Sequence, residues 1–125
     1  MFEQLFENAQ TIALHASAPY AAEREQFLEQ RAIRGYRRQC LKQTAFMLLR
    51  IVHEFRDHHE LMIGEESILA AAQRAIEGRR GIRTIRAFSS FRRKFVREAK
   101  RWLQFLGRFQ EHLLHRPRRP FSLLA

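Results

Sequence analysis

Residues 87–109 read AFSSFRRKFVREAKRWLQFLGRF. Phe91, Phe95, Ala99, Trp102, Leu106, Phe109 and Leu113 follow one another at steps of three or four. That spacing gathers them along one side of an α-helix. Between them stand Arg92, Arg93, Lys94, Arg97, Lys100, Arg101 and Arg108. One face is aromatic and apolar, the other strongly cationic. The pattern predicts a core-forming helix over about 88–115, its start lying between Thr84 and Ser90, with Ser89 or Ser90 as its cap and Gly107 as a competing end.

The chain around it offers four more helical stretches. Over 2–16, Phe2, Leu5, Phe6, Ala9, Ile12, Ala13 and Ala16 form an apolar stripe. Pro19 suits the first turn of a second helix over 19–34, with Tyr20, Ala21, Phe27, Leu28, Ala32 and Ile33 as a sparser apolar set and Gly35 just past its end. A third, over 38–56, carries Leu41, Ala45, Leu48, Val52 and Phe55 and contains neither Gly nor Pro. A fourth, over 65–77, opens on Glu65 and Glu66 and turns Ile68, Leu69, Ala72, Ala75 and Ile76 inward. No segment alternates as a strand does. The expected fold is all-α, a single small bundle of four to five helices over residues 1–116, followed by a basic extended tail over 117–125.

Length and composition agree. A chain of 125 residues with 46% hydrophobic residues fits one domain with its own core. No apolar run approaches the roughly 20 residues that span a bilayer. The first ten residues carry acids where a secretory signal carries Lys or Arg, so a cytoplasmic location is expected. The single cysteine, Cys40, fits a reducing compartment and is read as a small core residue.

The net charge is +10, unevenly placed. Residues 1–30 carry −4, residues 31–77 carry +2 and residues 78–125 carry +12. Arg far outnumbers Lys, and its planar fork suits phosphates and base edges. The expected partner is a polyanion, double-stranded DNA first. The candidate contacts are Arg34, Arg37, Arg38 and Lys42 around a turn, Arg79, Arg80, Arg83 and Arg86 in a linker, and Arg93, Arg97, Lys100 and Arg101 on the last helix. Arg37 and Arg38 lie at a helix start, where backbone amides also attract phosphate.

Chemistry is harder to find. His58-His59-Glu60 and the pair His112 and His115 lack the further ligands a metal requires. Gly78-Arg79-Arg80-Gly81 is too short for a phosphate loop. No catalytic residue, metal, cofactor or small-molecule substrate is expected, nor a membrane.

Phe27-Leu28-Glu29-Gln30-Arg31, Arg34-Gly35-Tyr36, Thr44-Ala45, Leu48-Leu49 and Phe55 together resemble the opening of phage-integrase-type tyrosine recombinases. Phe95 to Phe109 is similar to a run that precedes the core-binding domain in recombinases of mobile elements, and Pro120-Phe121 fits the junction. The resemblance implies a non-catalytic, DNA-contacting N-terminal module, active in DNA integration and recombination. It implies no catalysis here. His53-Glu54-Phe55-Arg56 matches the family's His-x-x-Arg by letter, but it falls inside a core helix and no Tyr follows Tyr36. The chain is expected to be a truncated or split recombinase or a standalone remnant, with a homo-oligomer or a recombinase as companion. The alternative is a helical protein–protein interaction or oligomerisation module without affinity for nucleic acid.

Overall fold

The computed structural model describes residues 1–58, 60–78 and 84–110. Six helices lie among them: α1 (Phe2–Leu5), α2 (Ala9–Ser17), α3 (Ala21–Ile33), α4 (Arg38–Glu54), α5 (Glu65–Glu77) and α6 (Ile85–Leu106). The protein is an all-α bundle, as its periodicity requires. The expected tail over 117–125 lies outside the described residues.

α6 is the central helix. Phe91, Phe95, Ala99, Trp102 and Leu103 are buried along it, and it packs on α3, α4 and α5. Ala71, Ala72 and Ala75 of α5 are fully buried, so that helix approaches closely. From α3, Phe27 meets the edge of Trp102 with ring centroids 5.6 Å apart. From α4, Leu41, Ala45, Leu48, Ile51 and Val52 complete the core.

Several expectations need correction. The stretch 2–16 is not one helix. Phe6 adopts extended backbone, and Asn8 caps a new helix, its Oδ1 accepting from the amides of Gln10 (2.7 Å) and Thr11 (3.3 Å). Phe2, Leu5 and Phe6 are buried as the stripe requires, but the break re-aims the residues that follow. Ala9, Ala13 and Ala16 are exposed instead, and the buried residue of α2 is His15.

α3 begins at Ala21 rather than Pro19, with Tyr20 at positive φ before it. Its sparse apolar set has a reason. Two of its four buried residues are arginines, Arg24 and Arg31. Arg24 donates to the carbonyls of His15 (2.6 Å), Ala18 (2.9 Å) and Pro19 (2.8 Å), closing the C-terminal end of α2 whose carbonyls lack helical partners. Ile33 and Tyr20 are exposed.

Cys40, expected inside, is exposed. α6 starts at the early limit of its expected range, and its cap is Thr84, whose Oγ1 accepts from Ala87 N–H at 3.0 Å, so Ser89 and Ser90 are helix interior. It ends at Gly107, not His115. Gly107 takes the left-handed conformation, and Arg108 N–H bonds back to Leu103 O at 2.8 Å. The chain then pairs in parallel with the approach to α5. β1 (Ile63–Gly64) lies beside β2 (Phe109–Gln110), with Ile63 opposite Phe109. At two residues each these strands carry no alternation to read. The Arg108 guanidinium fixes the junction, donating to the carbonyls of Glu60 (2.7 Å) and Leu61 (2.9 Å) and to Tyr20 Oη (3.1 Å).

Candidate nucleic-acid interface

Along α6 there are seven basic residues, Arg86, Arg92, Arg93, Lys94, Arg97, Lys100 and Arg101, against one acid, Glu98. An α-helix turns about 100° per residue, which sets Arg86, Arg93 and Arg97 opposite the buried Phe95 and Trp102. All three are exposed. Arg101 and Lys94 are displaced toward the α3–α4 turn. From Arg86 to Arg101 the row runs about 22 Å at 1.5 Å per residue.

The α3–α4 turn lies against this row. Gly35 closes α3 at φ +95, with Tyr36 N–H bonded back to Arg31 O at 3.1 Å. The turn folds over α6, where Tyr36 lines the same grooves as Lys94, Arg97 and Arg101. A groove on one side is lined by Gln30, Arg34, Tyr36, Arg101, Gln104 and Phe105. A second, on the other side, holds Cys40, Gln43, Ser90, Lys94 and Arg97. Arg31 and Tyr36 line both and join them.

The floor is a buried ion pair. Arg31 Nη2 lies 2.6 Å from Glu98 Oε1, in an ionic contact off the line of a hydrogen bond. Arg31 Nη1 donates to Thr44 Oγ1 at 3.3 Å, and its guanidinium sits 4.5 Å from the Phe27 ring and 5.3 Å from the Tyr36 ring. The lone acid of α6 is thus engaged inward. Of its two oxygens only Oε2 nears an outer cation, Arg97 Nε at 3.9 Å. Among the described residues, no other carboxylate lies within 4 Å of Arg34, Arg86, Arg93, Lys94, Arg97 or Arg101.

The expected contact residues divide accordingly. Arg34, Arg86, Arg93, Arg97 and Arg101 share the face. Arg37 is the exposed N-cap of α4 beside it. Arg38 does not join them, since its Nη2 donates to Leu5 O at 3.1 Å, toward α1. Lys42, one turn on, lies on that same side of α4, away from Cys40 and Thr44. Lys100 is turned to α5, its Nζ 3.2 Å from Glu65 Oε1. Arg79, Arg80 and Arg83 lie outside the described residues. Lys94, on the cationic face of α6 but outside the expected contacts, belongs to the groove. Its spacing of three before Arg97 was the available signal.

No protein-family model, curated protein or solved structure matches this chain. Phe27, Leu28, Phe95, Ala99, Trp102 and Leu103, which carry much of the recombinase resemblance, are all buried. They serve helix packing. The exposed cationic face is made by other residues.

Among the described residues no three His, Cys, Asp or Glu side chains are grouped to hold a metal, and no helix is long and apolar enough to cross a membrane. His58 Nε2 instead lies 3.4 Å from Glu60 Oε1.

Proposed function

We propose that this protein is a non-catalytic double-stranded DNA-binding module that lays the outer face of α6 along the phosphate backbone. The setting suggested by the sequence is the N-terminal part of a tyrosine recombinase, holding DNA for integration while catalysis is supplied elsewhere. The observation that carries the reading is the row Arg86, Arg93, Arg97 and Arg101, exposed on one helix face with Arg34 and Lys94 beside it. One strand of B-DNA presents a charge per 3.4 Å of axis, so a row of about 22 Å spans several phosphates. Such contacts position a protein without reading sequence. The polar side chains Gln30, Tyr36 and Gln104 in the adjoining groove supply hydrogen-bonding groups beside the backbone contacts.

Titration of a duplex at several salt concentrations tests this. About four or five neutralised phosphates give a log–log slope near −4. The triple substitution Arg93→Glu, Arg97→Glu, Arg101→Glu should abolish binding with helicity intact, because all three side chains are exposed. Affinity that is flat with salt would overturn the reading and favour a protein–protein module.

A further inference from the structure

A separate feature lies on the far side of α4 and does not rest on the DNA reading. Leu14 of α2 and Phe46 of α4 are 54% and 50% exposed, although both are large and apolar. They line a shared cleft of about 500 Å³ with Leu49, Arg50, His53 and Arg56. Helical geometry sets Leu49 and His53 roughly opposite Cys40, Thr44 and Met47, so the cleft and the α6 grooves occupy different faces of α4. Phe46 is held in place rather than loose. Its ring packs edge-on against Phe6 at 5.4 Å and His15 at 5.1 Å.

The lining identifies the occupant. Its base is aliphatic and aromatic, which suits bulky apolar anchors and not a phosphate backbone. Arg50 and Arg56 stand along it, and no residue lining the cleft is acidic. The exposed Asp57 lies 3.7 Å from Arg56 Nε, and Glu54, one turn beyond Arg50, is paired with Arg74 at 3.2 Å. A two-fold contact centred on the cleft would gather Arg50 and Arg56 of both copies in one interface with no acid among the lining residues, and like charges there are unfavourable. An acidic sequence meets those cations favourably. We infer that the α2–α4 cleft is a docking groove for an acidic amphipathic helix of another protein. The helix would present Leu or Phe to Leu14, Phe46 and Leu49, and Glu or Asp to Arg50 and Arg56.

The probe is a short synthetic amphipathic peptide with Leu and Phe on one face and Glu flanking them, fluorescently labelled and titrated with the full chain. The inference expects binding that weakens about tenfold or more with Leu14→Ser, and likewise with Arg50→Glu plus Arg56→Glu, the size of a well-placed interface contact. The same peptide with Gln for every Glu should bind correspondingly more weakly. The α6 triple variant, Arg93→Glu, Arg97→Glu, Arg101→Glu, should leave peptide affinity unchanged. Four results would overturn the inference: no binding at high micromolar protein; equal binding of the Gln peptide; loss in the α6 triple variant but not in the cleft variants; or self-association of the chain that Leu14→Ser abolishes.

Discussion

His15 is fully buried between the rings of Phe2, Phe6 and Phe46, stacked on Phe6 at 4.5 Å, with neither ring nitrogen hydrogen-bonded. Burial, and then the neighbouring Arg24 cation, push its pKa down to about 4. The native state therefore keeps His15 neutral where the unfolded chain, titrating near 6.5, takes up a proton. Its contribution to stability is complete above about pH 6.5 and is lost as the pH falls toward 4, by an amount on the order of 3 kcal/mol. Urea unfolding of the wild type and of His15→Phe at a series of pH values isolates this contribution. The variant should show a flatter profile between pH 6.5 and 4, and parallel profiles would sink the assignment. Arg24 is the companion case. Burial lowers its pKa as well, and it faces carbonyls rather than a carboxylate. Arg24→Ala leaves the end of α2 unsatisfied, at about 1–3 kcal/mol for each carbonyl kept from water, and calorimetry would register the loss. Neither burial was legible in the sequence. A charged residue is expected outside, and what holds these two inside is the placement of α1 and α2, which local periodicity does not carry.

At the scale of elements, sequence and structure agree where one face of a helix meets one core. α4, α5 and the buried stripe of α6 were legible for that reason. Ends were legible where a backbone conformation demands a residue type. Gly107, at φ +72, stops α6, and Gly35 stops α3. The break at Phe6–Asn8 was hidden because the apolar residues on both sides also fit a single stripe. The Asn8 cap, and the burial of His15 in place of Ala9, Ala13 and Ala16, show what the turn there achieves. The strand pair was hidden because two residues per strand carry no alternation and the Arg108 clasp beside it joins residues far apart in sequence. The role of Gly107 can be tested. A Cβ added there meets nothing within 4 Å, so any loss comes from backbone conformation alone. Gly107→Ala should cost about 1–2 kcal/mol, and Gly107→Asn less, since Asn tolerates the left-handed region. Equal melting temperatures for the two variants would contradict that account.

At the scale of the whole molecule, the grooves beside the α6 row are assembled where three helices meet at Arg31, Glu98 and Thr44. Composition gave an arginine-rich surface, and helical spacing gave the row on α6. Neither could show that Arg38 is tied to α1, that Lys100 is paired with α5, or that Arg34 and Arg101 share a groove. Those follow from how α3 and α4 are set against α6, and the ion pair helps to set them. Arg31 comes from α3, Glu98 from α6 and their neighbour Thr44 from α4, with both charged side chains largely out of water. Removing one member of such a pair leaves the other charge buried and uncompensated, at about 3–5 kcal/mol, whereas replacing both by apolar side chains can be nearly neutral. Glu98→Gln should therefore lower the unfolding midpoint sharply. The double variant Arg31→Met, Glu98→Leu should recover most of the loss, with a coupling energy on the order of 2–3 kcal/mol in the double-mutant cycle. Duplex affinity should move with stability if the pair acts by holding the α3–α4 turn over α6. It should fall in Glu98→Gln although that change makes the groove more positive, and return in the double variant. A tighter complex from a fully stable Glu98→Gln protein would show instead that the pair only tempers charge, and that the turn is positioned by the Gly35 cap and the core beneath it.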